Sequence, residues 1–121
     1  MISFMNIDPE KFTELGISAI KEMAEAAKRN GQQEVEVWHL LSALMAQEDG
    51  IVPALLEETG VGVAPVQLSL QRELKALPKI AGDVNTARSY ASSALTEAVE
   101  KGQEISRKME DDYVSTEHLL L

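Results

Sequence analysis

A 17-residue stretch of this chain recurs at a fixed offset of 79 positions, without a gap. Residues 25–41 read EAAKRNGQQEVEVWHLL and residues 104–120 read EISRKMEDDYVSTEHLL. The alignment pairs Glu25 with Glu104, Lys28 with Arg107, Val35 with Val114, and His39-Leu40-Leu41 with His118-Leu119-Leu120. Extended backwards, it pairs Ala19 with Ala98 and Ile20 with Val99. Chance supplies a few such coincidences, but these fall at matching places in the helical pattern, so duplication explains them better. The unit is a long helix, a polar loop and a second helix opening with His-Leu-Leu. Two copies make the expected fold all-α, a pseudo-twofold duplicated helical repeat. The second copy is expected to be truncated: Leu121 aligns with Ser42, after which the first copy continues through two further helices to Leu77. The expected organisation is a single domain over residues 1–121, with repeat one at about 8–77, a linker at 78–85 and a partial repeat two at about 86–121.

Local signals place the helices. Asp8-Pro9-Glu10 is a start signal: Asp8 can cap free amides, Pro9 suits the first helical position and Glu10 favours the positive end of the dipole. Phe12, Gly16, Ala19, Ile20, Met23 and Ala27 then recur on one helical face. Gly31 can adopt the left-handed conformation that ends a helix. A second helix is expected from near Val37, broken at Asp49-Gly50. A short third carries Leu55 and Leu56, with Pro53 in its first turn, and stops at Gly60. A fourth runs from about Pro65 to Leu77 on a stripe of Val66, Leu70, Leu74 and Leu77. A fifth opens near Thr86 and extends to about Met109. A sixth starts at Ser115-Thr116-Glu117. Nothing alternates long enough to predict a full strand, but Val35 and Val114 are candidates for single extended pairs between helices.

Composition excludes several classes of function. The chain has no cysteine, which removes disulfides, thiol catalysis and the usual structural zinc sites. Its 11 Lys and Arg against 20 Asp and Glu give a formal charge of −9. That balance argues against nucleic acid, whose phosphates need a basic face, and against anionic membrane surfaces. The longest apolar run, Leu40–Ala46, is interrupted by Ser42 and falls far short of the ~20 residues that span a bilayer. Met1-Ile2-Ser3-Phe4-Met5 lacks the basic region and apolar core of a secretory signal, so a cytoplasmic location is the default expectation.

A phosphate-cradling loop ends in Gly-Lys-Ser/Thr, and no glycine here is followed by lysine. His39 and His118 lack companion ligands at metal-site spacing, so each imidazole is expected to cap or pack at a helix start. Ser115, Glu117 and His118 lie close in sequence, but Ser115 reads better as a cap and Glu117 as a first-turn acid. There is no nucleophile elbow. The runs Glu57-Glu58 and Glu110-Asp111-Asp112 read as solvated surface. On the first helix, Leu15 and Ile17 fall on opposite shoulders of the buried stripe, and Thr13 lies on its rim.

Phe12-Thr13-Glu14, the alanine-rich helix, Gln33-Glu34-Val35, His39 to Leu44, Gln47-Glu48-Asp49-Gly50, Leu77-Pro78-Lys79 and Tyr113 to Leu120 share an order and spacing. Together they resemble the duplicated Clp N-terminal domain in the form carried by ClpB-type AAA+ disaggregases. The resemblance runs from about Asp8 to Leu121, and family sequences often begin at the equivalent of Met5, so Met1–Phe4 read as a leader or an early start. It implies a non-catalytic substrate-recognition domain of an ATP-dependent, stress-response chaperone. The domain itself would carry no cofactor, ATP and Mg belonging to ATPase modules outside these residues. Implied partners are unfolded or aggregated client proteins and the parent's own hexameric AAA+ ring, with no nucleic acid and no membrane. An apolar groove between the repeats is implied as the client site, with Thr13, Asp111 and Glu117 as its polar positions. Leu15 and Ile17 are the apolar candidates beside them. The alternative is a domain that docks a folded adaptor protein for a Clp-protease-associated unfoldase. An independent small enzyme is a third reading without a supporting constellation.

The chain departs from the family pattern at Trp38, where a smaller or charged residue is usual. That indole either offers an exposed anchor or packs. The expected absence of the last two helices would bear on the groove and would leave the face of Leu119-Leu120-Leu121 open to dimerisation or aggregation.

Overall fold

In repeat one, the helix start encoded by Asp8-Pro9-Glu10 produces only a short turn. Asp8 accepts from the Glu10 amide at 3.0 Å, and a 3-10 turn forms at Pro9–Lys11. Phe12 then leaves the helical region, at φ −115° and ψ 152°, to make a parallel bridge with Val114. The long helix α1 (Glu14–Arg29) opens afterwards, with Thr13 as its N-cap: Oγ1 accepts from the Gly16 amide at 3.0 Å. The start expected at Asp8 is therefore displaced by five residues or so, because the tertiary bridge claims Phe12. The computed structural model describes residues 7–47, 50–77, 79 and 90–120, with the Glu117 side chain left out. The linker at 78–85, apart from Lys79, lies outside the described residues, as do Met1–Phe4, Leu121 and, of the break expected at Asp49-Gly50, Asp49.

After α1 come β1 (Glu34–Val35), α2 (Val37–Ala46), α3 (Val52–Glu58) and α4 (Val63–Ala76). The second half supplies β2 (Tyr90–Ala91), α5 (Ser93–Lys108) and α6 (Thr116–Leu120). The fold is all-α, with two minimal extended pairings among the described residues. The helix expected from near Thr86 begins instead at Ser93. Tyr90 and Ala91 are extended because they pair in parallel with Glu34 and Val35, and Ser92 caps α5 by accepting from the Leu95 amide at 3.1 Å. Residues 86–89 lie outside the described part. The fourth helix starts two residues before Pro65, which sits in the first turn where no intrahelical amide is required.

The pseudo-twofold relation is visible bond by bond. Under the 79-residue offset Phe12 corresponds to Ala91, and Val35 to Val114. Val35 pairs with Ala91, and Val114 pairs with Phe12, so each extended contact joins one repeat to the other. The Thr13 amide donates to Val114 O at 2.9 Å, and its counterpart, the Ser92 amide, donates to Val35 O at 2.9 Å. Helix packing follows the same exchange: α1 lies on α2 and α5 on α6, while α1 also meets α6 and α2 meets α5.

The core sits where these four helices meet. On α1 the stripe is Gly16, Ala19, Ile20, Met23, Ala26 and Ala27; on α5 it is Leu95, Val99, Gly102 and Ser106. Ile20, Met23, Leu44, Leu95 and Val99 are almost completely buried. Gly16 is required by proximity, since a Cβ there would stand 2.8 Å from Val114 O. α3 and α4 pack more thinly, burying only Val52 and Leu70. Among the described residues no helix is long and apolar enough to cross a membrane.

Candidate functional site

Each repeat uses its histidine in the same way. A helix start leaves amides without intrahelical acceptors. The Glu36 amide donates to His39 Nδ1 at 2.8 Å, and the Ser115 amide donates to His118 Nδ1 at 2.9 Å. Both rings are buried, at 0% and 2% exposure. Because Nδ1 accepts, the proton of the neutral ring resides on Nε2. That nitrogen faces Gln32 Oε1 at 2.6 Å in repeat one and Asp111 Oδ2 at 2.8 Å in repeat two. Burial holds the His39 pKa below its ordinary value, and the nearby Glu36 carboxylate opposes this only in part. The cap expected of both histidines is thus observed.

In repeat two the arrangement superficially matches a nucleophile, base and acid. Ser115 Oγ lies 3.1 Å from His118 Nδ1, and Asp111 holds the other ring nitrogen. The Nδ1 lone pair, however, already accepts from the Ser115 amide. A ring so engaged has no free lone pair with which to take a proton from the hydroxyl. Repeat one builds the same cap with Glu36 and Gln32 and has no hydroxyl at the equivalent place, so the device is structural.

The two caps differ on their outer side. Gln32 is 1% exposed, and its Nε2 donates to Leu74 O at 3.0 Å, so the end of α4 closes over it. Asp111 occupies the same position, yet its side chain is 45% exposed. It opens onto a cleft of about 330 Å³ whose lining side chains are mostly of polar type, Asp8, Lys11, Ser106, Arg107 and Asp112 with Val114 among others, a polar cleft in that sense only. Ser106 is buried beneath the cleft and donates to Tyr113 O at 3.1 Å.

A second cleft between the repeats, of about 310 Å³, is apolar. Val37, Trp38, Leu41 and Leu44 of α2 face Ala98 of α5 and Leu119 and Leu120 of α6, with Lys101 at the edge. Trp38 is half-buried there, so it both packs and presents surface. Residue-by-residue reading did not predict this cleft. The unusual Trp38 and the recurring His-Leu-Leu were the signals that could have found it.

The residues singled out from the sequence are distributed as follows. Thr13 is committed to the N-cap of α1, and its amide is bound to Val114 O, the residue that also lines the polar cleft with Asp111. No hydrogen bond joins Thr13 to Asp111 directly among the described residues. Leu15 is 38% exposed and its carbonyl accepts from Gln47 Nε2 at 2.9 Å. Ile17 is half-buried against the core. Glu117 falls in the first turn of α6, with its side chain outside the described part. Thr13, Leu15 and Ile17 line neither of the two clefts. Among the described residues no group of three or more His, Cys, Asp or Glu is placed to hold a metal ion.

Comparison with known proteins gives a consistent result. The Clp repeat (R) N-terminal domain family matches residues 11–121. Chaperone protein ClpB of Nitratidesulfovibrio vulgaris is 37% identical over 114 residues, which is 93% of this chain and 13% of that protein. Chaperone protein ClpB of Mycobacterium tuberculosis is 36% identical over 104 residues, 86% of this chain and 12% of that protein. The chain therefore spans about 13% of the length of the curated relatives it matches. The Hsp104 N-terminal domain from Candida albicans superposes with a TM-score of 0.78 at 20% identity, covering 91% of this chain and 71% of that one. The N-terminal domain of the ClpV1 ATPase from E. coli gives a TM-score of 0.79 at 17% identity, with 92% and 66% covered.

Proposed function

The chain belongs to the Clp repeat N-terminal domain family, and from that premise we propose that it is a non-catalytic recognition domain that binds unfolded or aggregated polypeptide along the seam between its repeats. The observation that carries the reading is the apolar cleft built jointly by α2, α5 and α6, with Trp38 in its wall. Apolar surface exposed in this way attracts any unfolded segment without directional requirements. Asp111, open on its own inter-repeat cleft, adds selection for segments carrying donors or cations. Thr13 and Glu117 belong to the proposed contact surface on the strength of the family resemblance, and Leu15 and Ile17 as apolar residues on the shoulders of the α1 stripe.

The relatives are named chaperones and are several times longer than this chain. The proposal accordingly assigns ATP and Mg to the ATPase modules of such a longer AAA+ protein, a hexameric ring in the cytoplasm, and assigns capture to this domain. Binding should be weak, apolar in origin and persistent at moderate salt, unlike a purely electrostatic contact.

The test is a titration of isotope-labelled protein with a permanently unfolded, non-aggregating polypeptide, followed through backbone amide shifts. Shifts clustering on Trp38, Leu119, Leu120, Thr13, Leu15 and Asp111 are expected. A well-dispersed spectrum that does not move would overturn the reading and leave docking of a folded adaptor as the alternative.

A further inference from the structure

We infer that His118 is a positioning residue that holds Asp111 with one carboxylate oxygen turned outward, making this end of the seam a site for a hydrogen-bond donor. The donor is a backbone N–H or a cationic side chain of an extended polypeptide. This deepens the proposed function and rests on its assignment of Asp111 to the contact surface.

The argument comes from comparing the two repeats. His118 Nδ1 accepts from the Ser115 amide, which places the proton on Nε2 and directs it to Asp111 Oδ2 at 2.8 Å. The ring is 2% exposed and cannot swing away without leaving both bonds unmade. Asp111 Oδ1 accepts no hydrogen bond among the described residues, and the side chain faces the polar cleft. Lys11 and Arg107 line that cleft but form no ion pair with Asp111, so its outer oxygen is available. In repeat one the equivalent histidine, His39, grips Gln32 by Oε1, which turns the amide nitrogen outward to donate to Leu74 O. The outward polarity is thus opposite in the two copies. Repeat one presents a donor and is filled by a carbonyl, whereas repeat two presents an acceptor that is open to a donor.

Three variants separate this role from the cap. His118→Asn places an acceptor near the position of Nδ1, keeping the cap, and removes the donor to Asp111. His118→Gln does the reverse: its amide nitrogen reaches the Nε2 position and the cap is lost. Asp111→Asn turns a donor outward, reproducing the polarity of repeat one. Affinity for the permanently unfolded polypeptide would be measured alongside thermal unfolding of the same samples. Asp111→Asn and His118→Asn should each weaken binding by about tenfold, as expected for losing a hydrogen bond to a charged group. Combining them should cost no more than either alone, while His118→Gln should bind within about twofold despite lower thermal stability. Binding by His118→Asn at the wild-type level, with Asp111→Asn weakened, would overturn the positioning role and leave the client reading intact. Wild-type binding by Asp111→Asn would remove Asp111 from the contact surface, and the inference with it. Imidazole nitrogen-15 shifts supply an independent check that does not depend on a variant folding. They should report the Nε2–H tautomer for His118, and an Nδ1–H ring would overturn the geometry.

Discussion

Gly31 and Glu110 hold the same left-handed conformation, at φ 71° and φ 58°, in the turns that end α1 and α5. The hydrogen bonds around them also correspond. The Gly31 amide donates to Lys28 O at 3.0 Å and the Glu110 amide to Arg107 O at 3.0 Å. Only the first copy uses the residue suited to the turn. A side chain in this region crowds the following carbonyl and costs roughly 1–2 kcal/mol, part of which glycine returns as extra freedom of the unfolded chain. Glu110→Gly should therefore stabilise the protein by about 0.5–1 kcal/mol. The denaturant midpoint measures this, and an unchanged or lowered midpoint would show that the Glu110 side chain contributes more than its backbone strain costs.

Gly16 bears on the opposite side of the balance. Its missing Cβ lets α1 approach Val114 O, the same oxygen that accepts from the Thr13 amide. An added methyl at 2.8 Å must push apart two pieces of backbone, because no flexible side-chain end can yield. Gly16→Ala should cost about 1–3 kcal/mol despite the better helix propensity of alanine. Its signature should be local: exchange of the Thr13 and Val114 amides with solvent should accelerate more than that of amides in α4.

These positions also show what was legible in the sequence. Duplication, helix starts at Val37 and near Ser115, the left-handed Gly31 and the histidine caps all rest on local patterns, and the structure bears them out. Phe12, Tyr90 and Ala91 were misread as helical because a one- or two-residue extended pair has no periodicity of its own. Burial of Gly102 and Ser106 was missed for a related reason. Gly102 is covered by the approach of α6, with a Cβ on it standing 3.2 Å from His118 O, and Ser106 bonds the carbonyls of Asp111 and Tyr113 in the loop before α6. The apolar cleft required the mutual placement of α2, α5 and α6, and the cleft at Asp111 that of Asp8 and Lys11 against α5 and the loop after it, which no window of sequence contains. The Asp111–His118 bond was within reach, since the offset that pairs the histidines also pairs Asp111 with Gln32.

Acid should loosen the fold through His39. Its folded-state pKa is depressed, by burial first, so the ring resists protonation in the native state more than in the unfolded chain. Above the ordinary value of about 6.5 both states carry a neutral ring, and the stabilisation is fully present. As pH falls below that value the unfolded state gains the proton first, and stability declines until the folded ring titrates as well. Glu34 and Glu104 are also shifted, Glu34 upward by partial burial and then Glu36, and Glu104 downward by its bond to Lys108. A carboxyl ordinarily titrates near 4.5, so Glu104, shifted down, moves away from the interval between pH 7.5 and about 5, whereas Glu34, shifted up, moves towards its acid end, and the His39 effect is read in the upper part of that interval. Urea midpoints should fall across that interval, and the His39 ring should titrate below the usual histidine range. A normal or raised ring pKa would remove the explanation.

The apolar cleft makes a prediction that a single chromophore can read. Trp38 is the chain's one tryptophan, and it is half-buried in the wall of that cleft. A polypeptide segment seated there displaces water from the exposed part of the indole, so emission should shift to the blue on binding and should do so at moderate salt as well. Under the repeat offset the position equivalent to Trp38 is Glu117. Trp38→Glu therefore gives α2 the residue that α6 carries, and sets a carboxylate among Leu41, Leu44 and Leu120. Loss of the large aromatic contact together with the cost of desolvating a charge should weaken binding by at least about tenfold. Because Trp38 is only partly buried, the variant should remain folded, with a spectrum whose dispersion outside α2, α5 and α6 is unchanged. Emission that stays fixed through saturation of the wild-type protein, with undiminished binding by Trp38→Glu, would exclude this cleft as the contact surface and move the binding reading onto Asp111 and Leu15.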